Sequence, residues 1–444
     1  SYNEDTATTA RNKSGSFYTP REVVDFMVDE ALVAWLLPKL PSELDLNGGK
    51  LRQQGLDLGA APGELDLEGP PSAQPSATVG KDEQRLRNLL SFASREHDFS
   101  LAQVDALIAA IESCKAIDPA VGSGAFPLGL LQKLVHMLDV LDPGGQKWRA
   151  RNRLYYERRL ADAEAIPAVN ERAAEIEKAE AALAEFDAKF ESGHEKDYTR
   201  KLFLIERCLH GVDIQPIAVQ IAKLRCFISL AVEQKEDPSR PNRGITPLPN
   251  LEAKFVAANT LTPLHRRGQA GLVSQDLLKK QKALREANRA FFAAANGAAK
   301  RREQRRIKQL RAEIAEEVTR DHAFVSDDAK KLAAWDQFDP NAFAPFFDGG
   351  WMFGLSPDTS HFDVILGNPP YRQIKKNEYS GLDYPFTEGK EKGKQNLYKL
   401  FIERSRQLAG SDGQVCLIVQ SSLMADASAT ETRRMLLDLS LIHI

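Results

Sequence analysis

Three short apolar runs, each closing on an acidic residue or a glycine and each followed by helical sequence, constrain this chain to a parallel sheet covered on both faces. The first run is Ala116-Ile117-Asp118. After a glycine-containing turn, a helix places Phe126, Leu130, Leu134 and Leu138 on one face and stops at Asp142-Pro143-Gly144-Gly145. Cys208 to Ile214 is the second, with Pro216 near the first turn of a helix expected to bury Ile217, Ile221, Leu224 and Ile228. Phe362 to Leu366 is the third and runs into Gly367-Asn368-Pro369-Pro370-Tyr371. Leu397, Leu400, Phe401 and Leu408 mark a further helix. Gly410-Ser411-Asp412-Gly413 turns the chain, and Val415 to Val419 reads as a continuous buried strand. The fold class is α/β, an open sheet.

At 444 residues, 43% hydrophobic and 27% charged, the chain exceeds one ordinary core, so two domains or one heavily inserted domain is expected. The Pro-rich stretch Pro62 to Gly80 and the segment Glu236 to Asn250 read as connections. Gln146 to Leu204 and Ser274 to Val318, rich in Ala, Glu, Lys, Arg and Leu, read as long surface helices inserted between sheet units. The expected divisions are residues 1–55, an N-terminal helical region; 56–115, a loop-rich insert and helix; and 116–444, the sheet domain with helical insertions at about 146–204 and 266–320.

The formal charge of −3 hides a basic segment, Arg266 to Arg320, with fifteen Lys/Arg against six Asp/Glu. No apolar stretch is clean enough to span a bilayer, and the first residues lack the pattern of a signal peptide, so a cytoplasmic protein without membrane contact is expected. Cys114, Cys208, Cys226 and Cys416 lack paired spacing and read as buried thiols. The eight histidines show no metal-ligand spacing, so no metal site is expected.

Asp118-Pro119-Ala120-Val121-Gly122-Ser123-Gly124 lies where strand meets helix, the position at which open α/β sheets bind nucleotides through backbone amides and a helix N-terminus. Gly122 and Gly124 let a ligand approach the backbone, and Asp118 can accept a hydrogen bond. A tight β-α connection with no ligand is the competing reading, and Asp57 to Gly63 is a rival turn. Asp213, at the next strand end, suits ribose hydroxyls or an N-cap equally. In Asn368-Pro369-Pro370-Tyr371 the prolines impose a rigid turn and leave carbonyls unpaired beside the Asn368 amide oxygen and a planar ring. Acceptors beside a ring suit a planar amine, which they can draw toward tetrahedral geometry while the ring stacks.

Taken in order, Phe17-Tyr18-Thr19-Pro20, Asp118 to Phe126, Gly211-Val212-Asp213 and Asn368 to Tyr371 resemble the γ-class N6-adenine DNA methyltransferases. The resemblance is strongest to those of restriction-modification and phage-defence systems, including type IIG enzymes with nuclease and methylase in one chain. It covers about residues 14 to 437 and implies a Rossmann-like fold with helical insertions and S-adenosylmethionine as methyl donor. The donor would be bound by Thr19, Pro20, Asp118, Pro119, Ala120, Gly122, Gly124, Asp213 and Asn259. Asn368, Pro369, Pro370 and Tyr371 would hold the target adenine. Double-stranded DNA is the implied partner, with a nuclease domain or subunit alongside. The chain departs from the family in Ser421 to Ala425, where an aromatic residue often stands, and in the short sequence left for a target-recognition domain after Val419. The E-x-K triplets Glu252-Ala253-Lys254 and Glu388-Gly389-Lys390 lack a partner acid for a nuclease.

Because duplex adenine hides its amine in the stack, such an enzyme flips the base, and Arg301, Arg302, Arg305 and Arg306 could offset the cost through phosphate contacts. A solvated helical hairpin explains the same charges. A protein glutamine N-methyltransferase presents the same amide chemistry to this pocket, and a non-catalytic DNA-binding methylase-like fragment is the third reading.

Overall fold

In the computed structural model the described residues exclude 1, 4–7, 10–18, 42–76, 166–168, 192–195, 265–274, 321–330, 333, 356–360, 388–394 and 439–444. Single residues and short stretches within 235–248, 293–296 and 375–381 are also excluded. Five parallel strands form the sheet: β1 (Ala116–Asp118), β2 (Leu209–Asp213), β3 (Phe255–Ala257), β4 (Phe362–Gly367) and β5 (Ala409–Leu417). Their order is β3-β2-β1-β4-β5. The chain winds one way from β1 through β3 and the other way from β4 to β5, so the order reverses between β1 and β4. That switch point opens a crevice at the carboxyl ends of both strands. The fold is a Rossmann-like α/β sheet with helical insertions.

Strand periodicity distributes the core to both faces. Ala116, Leu209, Val364 and Leu366 join one cluster with α1 (Arg21–Leu36), α3 (Leu101–Ser113) and α4 (Ala125–Leu141). Ile117, Val212, Val256 and Ile365 join the other, with Leu284 and Phe291 of α9 (Gln275–Phe292) and Ile307 and Ile314 of α10 (Gly297–Arg320). The second insertion is therefore a layer of the core, in contrast to the surface helices expected from its charge. Inside that layer the buried Arg311 guanidinium lies 4.6 Å from the Trp335 ring and 5.2 Å from that of Trp351. The first insertion comprises α5 (Gln146–Glu164), α6 (Val169–Glu191) and α7 (Lys196–Arg207).

Five further expectations are corrected. The helix after β2, α8 (Pro216–Ala231), turns Val219, Ala222, Cys226 and Leu230 inward and leaves Ile217 65% exposed, with Ile221, Leu224 and Ile228 also outside. Clearance is tight at one point of that face: a Cβ built on Gly124 would lie 3.1 Å from the Ala222 Cβ, so position 222 has room only for a small residue. The last strand begins at Ala409 and ends at Leu417. Among the described residues it is an edge strand paired to β4, with half-exposed residues, and Val415 is exposed. Gly410 to Gly413 survive as an irregularity within it, since Phe362 pairs with Ala409 and Val364 with Gln414. Helix α2 (Ala77–Leu90) takes up the last residues of the stretch read as a loop. Cys114, Cys208 and Cys226 are buried, whereas Cys416 is only partly so. The rival turn Asp57 to Gly63, Phe17 and Tyr18, and the triplet Glu388 to Lys390 lie outside the described residues.

Candidate active site

At the mouth of the crevice, the turn after β1 is built on two left-handed glycines, Gly122 at φ 50° and Gly124 at φ 82°, the latter capping α4. A Cβ at Gly122 would meet nothing nearer than the Ala120 carbonyl at 4.0 Å, so the turn has open space above it. Asp118 closes the turn from below. Its Oδ1 accepts the Ala120 amide at 3.0 Å, and the side chain is 2% exposed, so burial lifts its pKa well above the ordinary carboxylate value.

Asp213 reaches the same turn from β2. Its Oδ2 accepts the Gly122 amide at 2.9 Å and its Oδ1 the Gln215 amide at 2.8 Å. Burial raises its pKa, and the amides of Gln215, Gly122 and Ile214 oppose that shift. The N-cap of α8 is Gln215, so Asp213 stands two residues before the cap, outside the helix. Just past β3, the Asn259 backbone amide donates to the Ala344 carbonyl at 2.9 Å, and Asn259 Oδ1 accepts the Leu261 amide at 3.2 Å. Thr260 donates its hydroxyl to the Pro119 carbonyl at 2.7 Å and ties this loop to the β1 turn.

Across the switch point, Gly367 ends β4 against Asp118: a Cβ there would lie 3.0 Å from Asp118 Oδ1. Asn368 follows directly. Its Nδ2 donates to Thr19 Oγ1 at 3.2 Å, and its Oδ1 lies 2.7 Å from Tyr371 Oη. Tyr371 Oη also lies 2.9 Å from the Ile418 carbonyl, just past β5. Burial pushes the Tyr371 phenol up to about 12, so it stays protonated at neutral pH. Pro369 is buried and Pro370 half-buried. Thr19 is 8% exposed, and Pro20 caps α1, accepting the Val24 amide at 3.1 Å.

Thr19, Asp118 and Asn368 are thus linked in one connected set, and the turn from Pro119 through Gly124 joins Asp213 and Asn259 to it. Two residues without a sequence signal border the same set. Tyr379 hydrogen-bonds the Asn259 side chain, and Arg372, paired with Glu378, braces the segment carrying it. Ile214, next to Asp213, is 55% exposed although apolar. The E-x-K triplet at Glu252 sits in the turn before β3, away from the carboxyl edge. Among the described residues no group of three or more His, Cys, Asp or Glu could hold a metal ion, and no helix is long and apolar enough to cross a membrane.

A five-stranded sheet of this order, with a glycine turn after the first strand and an acid after the second, is the architecture of a Rossmann-like methyltransferase. The chain belongs to the Eco57I restriction-modification methylase family, whose model matches residues 207–444. It is also similar to a Methanocaldococcus jannaschii protein named as a type II restriction enzyme and methyltransferase, at 28% identity over 151 residues. That stretch is 34% of this chain and 9% of the relative, so the chain spans under a tenth of that relative's length.

Proposed function

We propose that this chain transfers a methyl group from S-adenosylmethionine to the exocyclic amine of adenine in double-stranded DNA, within a restriction-modification or phage-defence system. The single observation that carries the reading is the placement of Asn368-Pro369-Pro370-Tyr371 at the switch point, directly beside the Asp118 to Gly124 turn. Family membership supports a methylase, and the relative's name supports work alongside a nuclease, fused or separate.

The residues fit the donor. Open space above Gly122 suits a close-lying ligand, Asp213 retains lone pairs for hydroxyls, and exposed Ile214 offers an apolar surface to a base. Thr19, Pro20, Asp118, Pro119, Ala120, Gly124 and Asn259 would complete the donor site. When bound, the donor supplies a sulfonium-activated methyl group.

The chain's own groups then align and polarise. Asn368 Oδ1 and the carbonyl of Pro369 accept the two amine N–H bonds of the flipped base. Each bond strengthens as the nitrogen turns tetrahedral and positive in its attack, so the transition state is favoured over the ground state. Pro370 fixes the turn, and the Tyr371 ring stacks on the base and excludes water. Arg301, Arg302, Arg305 and Arg306, exposed on α10, would supply phosphate contacts.

The test is tritiated-methyl transfer to plasmid DNA and, in parallel, to protein substrates, followed by nucleoside analysis. N6-methyladenine is the expected product. Label found only on glutamine would overturn the DNA reading in favour of a protein methyltransferase, and donor binding without any transfer would favour a non-catalytic fragment.

A further inference from the structure

We infer that Thr19 is a positioning residue for Asn368: its hydroxyl holds the amide nitrogen away from the base, so that the amide oxygen is the atom presented to the amine. This rests on the reading of Asn368 as the amine's acceptor.

The amide of asparagine is nearly symmetric in shape and opposite in chemistry at its two ends. With Oδ1 toward the pocket it accepts an amine proton; turned over, it presents a donor to a donor and repels the substrate. Something must therefore fix its orientation. Asn368 Nδ2 lies 3.2 Å from Thr19 Oγ1, and this contact joins residues 349 positions apart. Thr19 is buried, so water competes poorly for the bond. It also precedes Pro20, and a residue before proline is confined to extended backbone, which presets where its side chain projects.

On the other side of the amide, Tyr371 Oη lies within reach of both Asn368 Oδ1 and the Ile418 carbonyl. A phenol has one proton and donates to one of them at a time. When that proton goes to Ile418, both lone pairs of Asn368 Oδ1 are open to the base, and among the described residues Thr19 is the one that then holds the amide. The hydroxyl of Thr19 thereby couples the N-terminal segment to the group that polarises the amine, without touching the base.

Two measurements on the full chain test this. In protein labelled with nitrogen-15 at asparagine, the Asn368 side-chain resonance is identified by its absence in Asn368→Ala. Its protons should exchange slowly with water in the unsubstituted protein and in Thr19→Ser, and several-fold faster in Thr19→Val. Protection lost in Tyr371→Phe but kept in Thr19→Val would overturn the inference, because the amide would then be turned the other way. In methyl transfer at saturating donor, Thr19→Val should lower turnover by about tenfold, the scale of one oriented hydrogen bond, and Thr19→Ser should restore it. Adding Thr19→Val to Asn368→Ala should cost nothing more, since the group it orients is gone. Independent, multiplying losses, or a loss that vanishes at saturating donor, would make Thr19 a donor contact only. Full activity in Asn368→Ala would instead defeat the reading of Asn368, an outcome separate from any behaviour of Thr19.

Discussion

The Asp213 carboxylate accepts the Gly122 amide at 2.9 Å, so the acid at the end of β2 holds in place the glycine turn at the end of β1. Under the proposed function, one side chain would thus shape the floor of the donor site and keep lone pairs for the donor's hydroxyls. Gly122 can take its left-handed conformation at no steric cost, but its amide needs a partner in this half-buried place, and Asp213 is that partner.

Asp213→Ala is therefore expected to act twice. It leaves the Gly122 and Gln215 amides without their acceptor, at a cost of about 1–3 kcal/mol of stability, and it removes a donor contact. Asp213→Asn, which keeps one acceptor oxygen, should fall between. Denaturant melts and calorimetric titration with S-adenosylmethionine measure the two effects separately; unchanged stability together with unchanged affinity would remove Asp213 from the site.

Asp118 should show a trade of stability against function. Burial raises its pKa, so the folded state binds the proton more tightly than the unfolded chain. The stability it contributes is complete below the ordinary carboxylate pKa and is lost as pH rises through the raised folded value. Asp118→Asn keeps an acceptor for the Ala120 amide without a buried charge, and should melt higher than the parent at pH 8. The difference should shrink toward pH 4. Asp118→Ala should abolish calorimetric donor binding; saturable binding unaltered by that substitution would move the donor site elsewhere.

The α/β architecture was legible because apolar runs alternate with helical sequence, although the three-residue β3 (Phe255–Ala257) was too short to stand out, and the helix after β1 turns Phe126, Leu130, Leu134 and Leu138 inward as its periodicity implies. Orientation was harder where a helix carries two apolar stripes. In α8 the larger one, Ile217 to Ile228, faces out, and the close Gly124 to Ala222 approach on the inward side leaves position 222 room only for a small residue. Charge density concealed the role of α9 and α10, whose Leu284, Phe291, Ile307 and Ile314 cover one face of the sheet. Within the candidate site, residues in local motifs could be found by pattern. Thr260 and Tyr379 could not, because a single hydroxyl bonding across the fold leaves no periodicity in the sequence.

For DNA affinity, the exposed arginines of α10 should separate from the buried one. Arg302 and Arg306 pair with Glu303, whose charge offsets only part of theirs, and Arg301 and Arg305 are also on the outside. Neutralising all four to Gln should weaken binding to every duplex alike and flatten its salt dependence, with base preference unchanged. Arg311 is packed between two tryptophans and should not be part of that set. An unaltered salt slope would assign these charges to a solvated helix face.

Asn368 and Tyr371 should fail in different ways. The Asn368 oxygen matters most when the amine nitrogen acquires positive charge, so Asn368→Ala should reduce turnover by something on the order of a hundredfold or more while donor affinity barely moves. Tyr371 offers a ring to the base, and its hydroxyl lies against Asn368 Oδ1 and the Ile418 carbonyl. Tyr371→Ala should therefore weaken capture of the flipped base, seen as a raised KM for DNA and a smaller rise in 2-aminopurine fluorescence at the target position on binding. Tyr371→Phe keeps the ring and removes a hydroxyl that competes with the amine for Asn368 Oδ1, so it should retain most of the activity, as Tyr371→Trp should in part. With the phenol pushed up to about 12, no pH dependence near neutrality should be traceable to it. If Tyr371→Phe proved as damaging as Tyr371→Ala, the hydroxyl and not the ring would be the working part, and the stacking role would have to be given up.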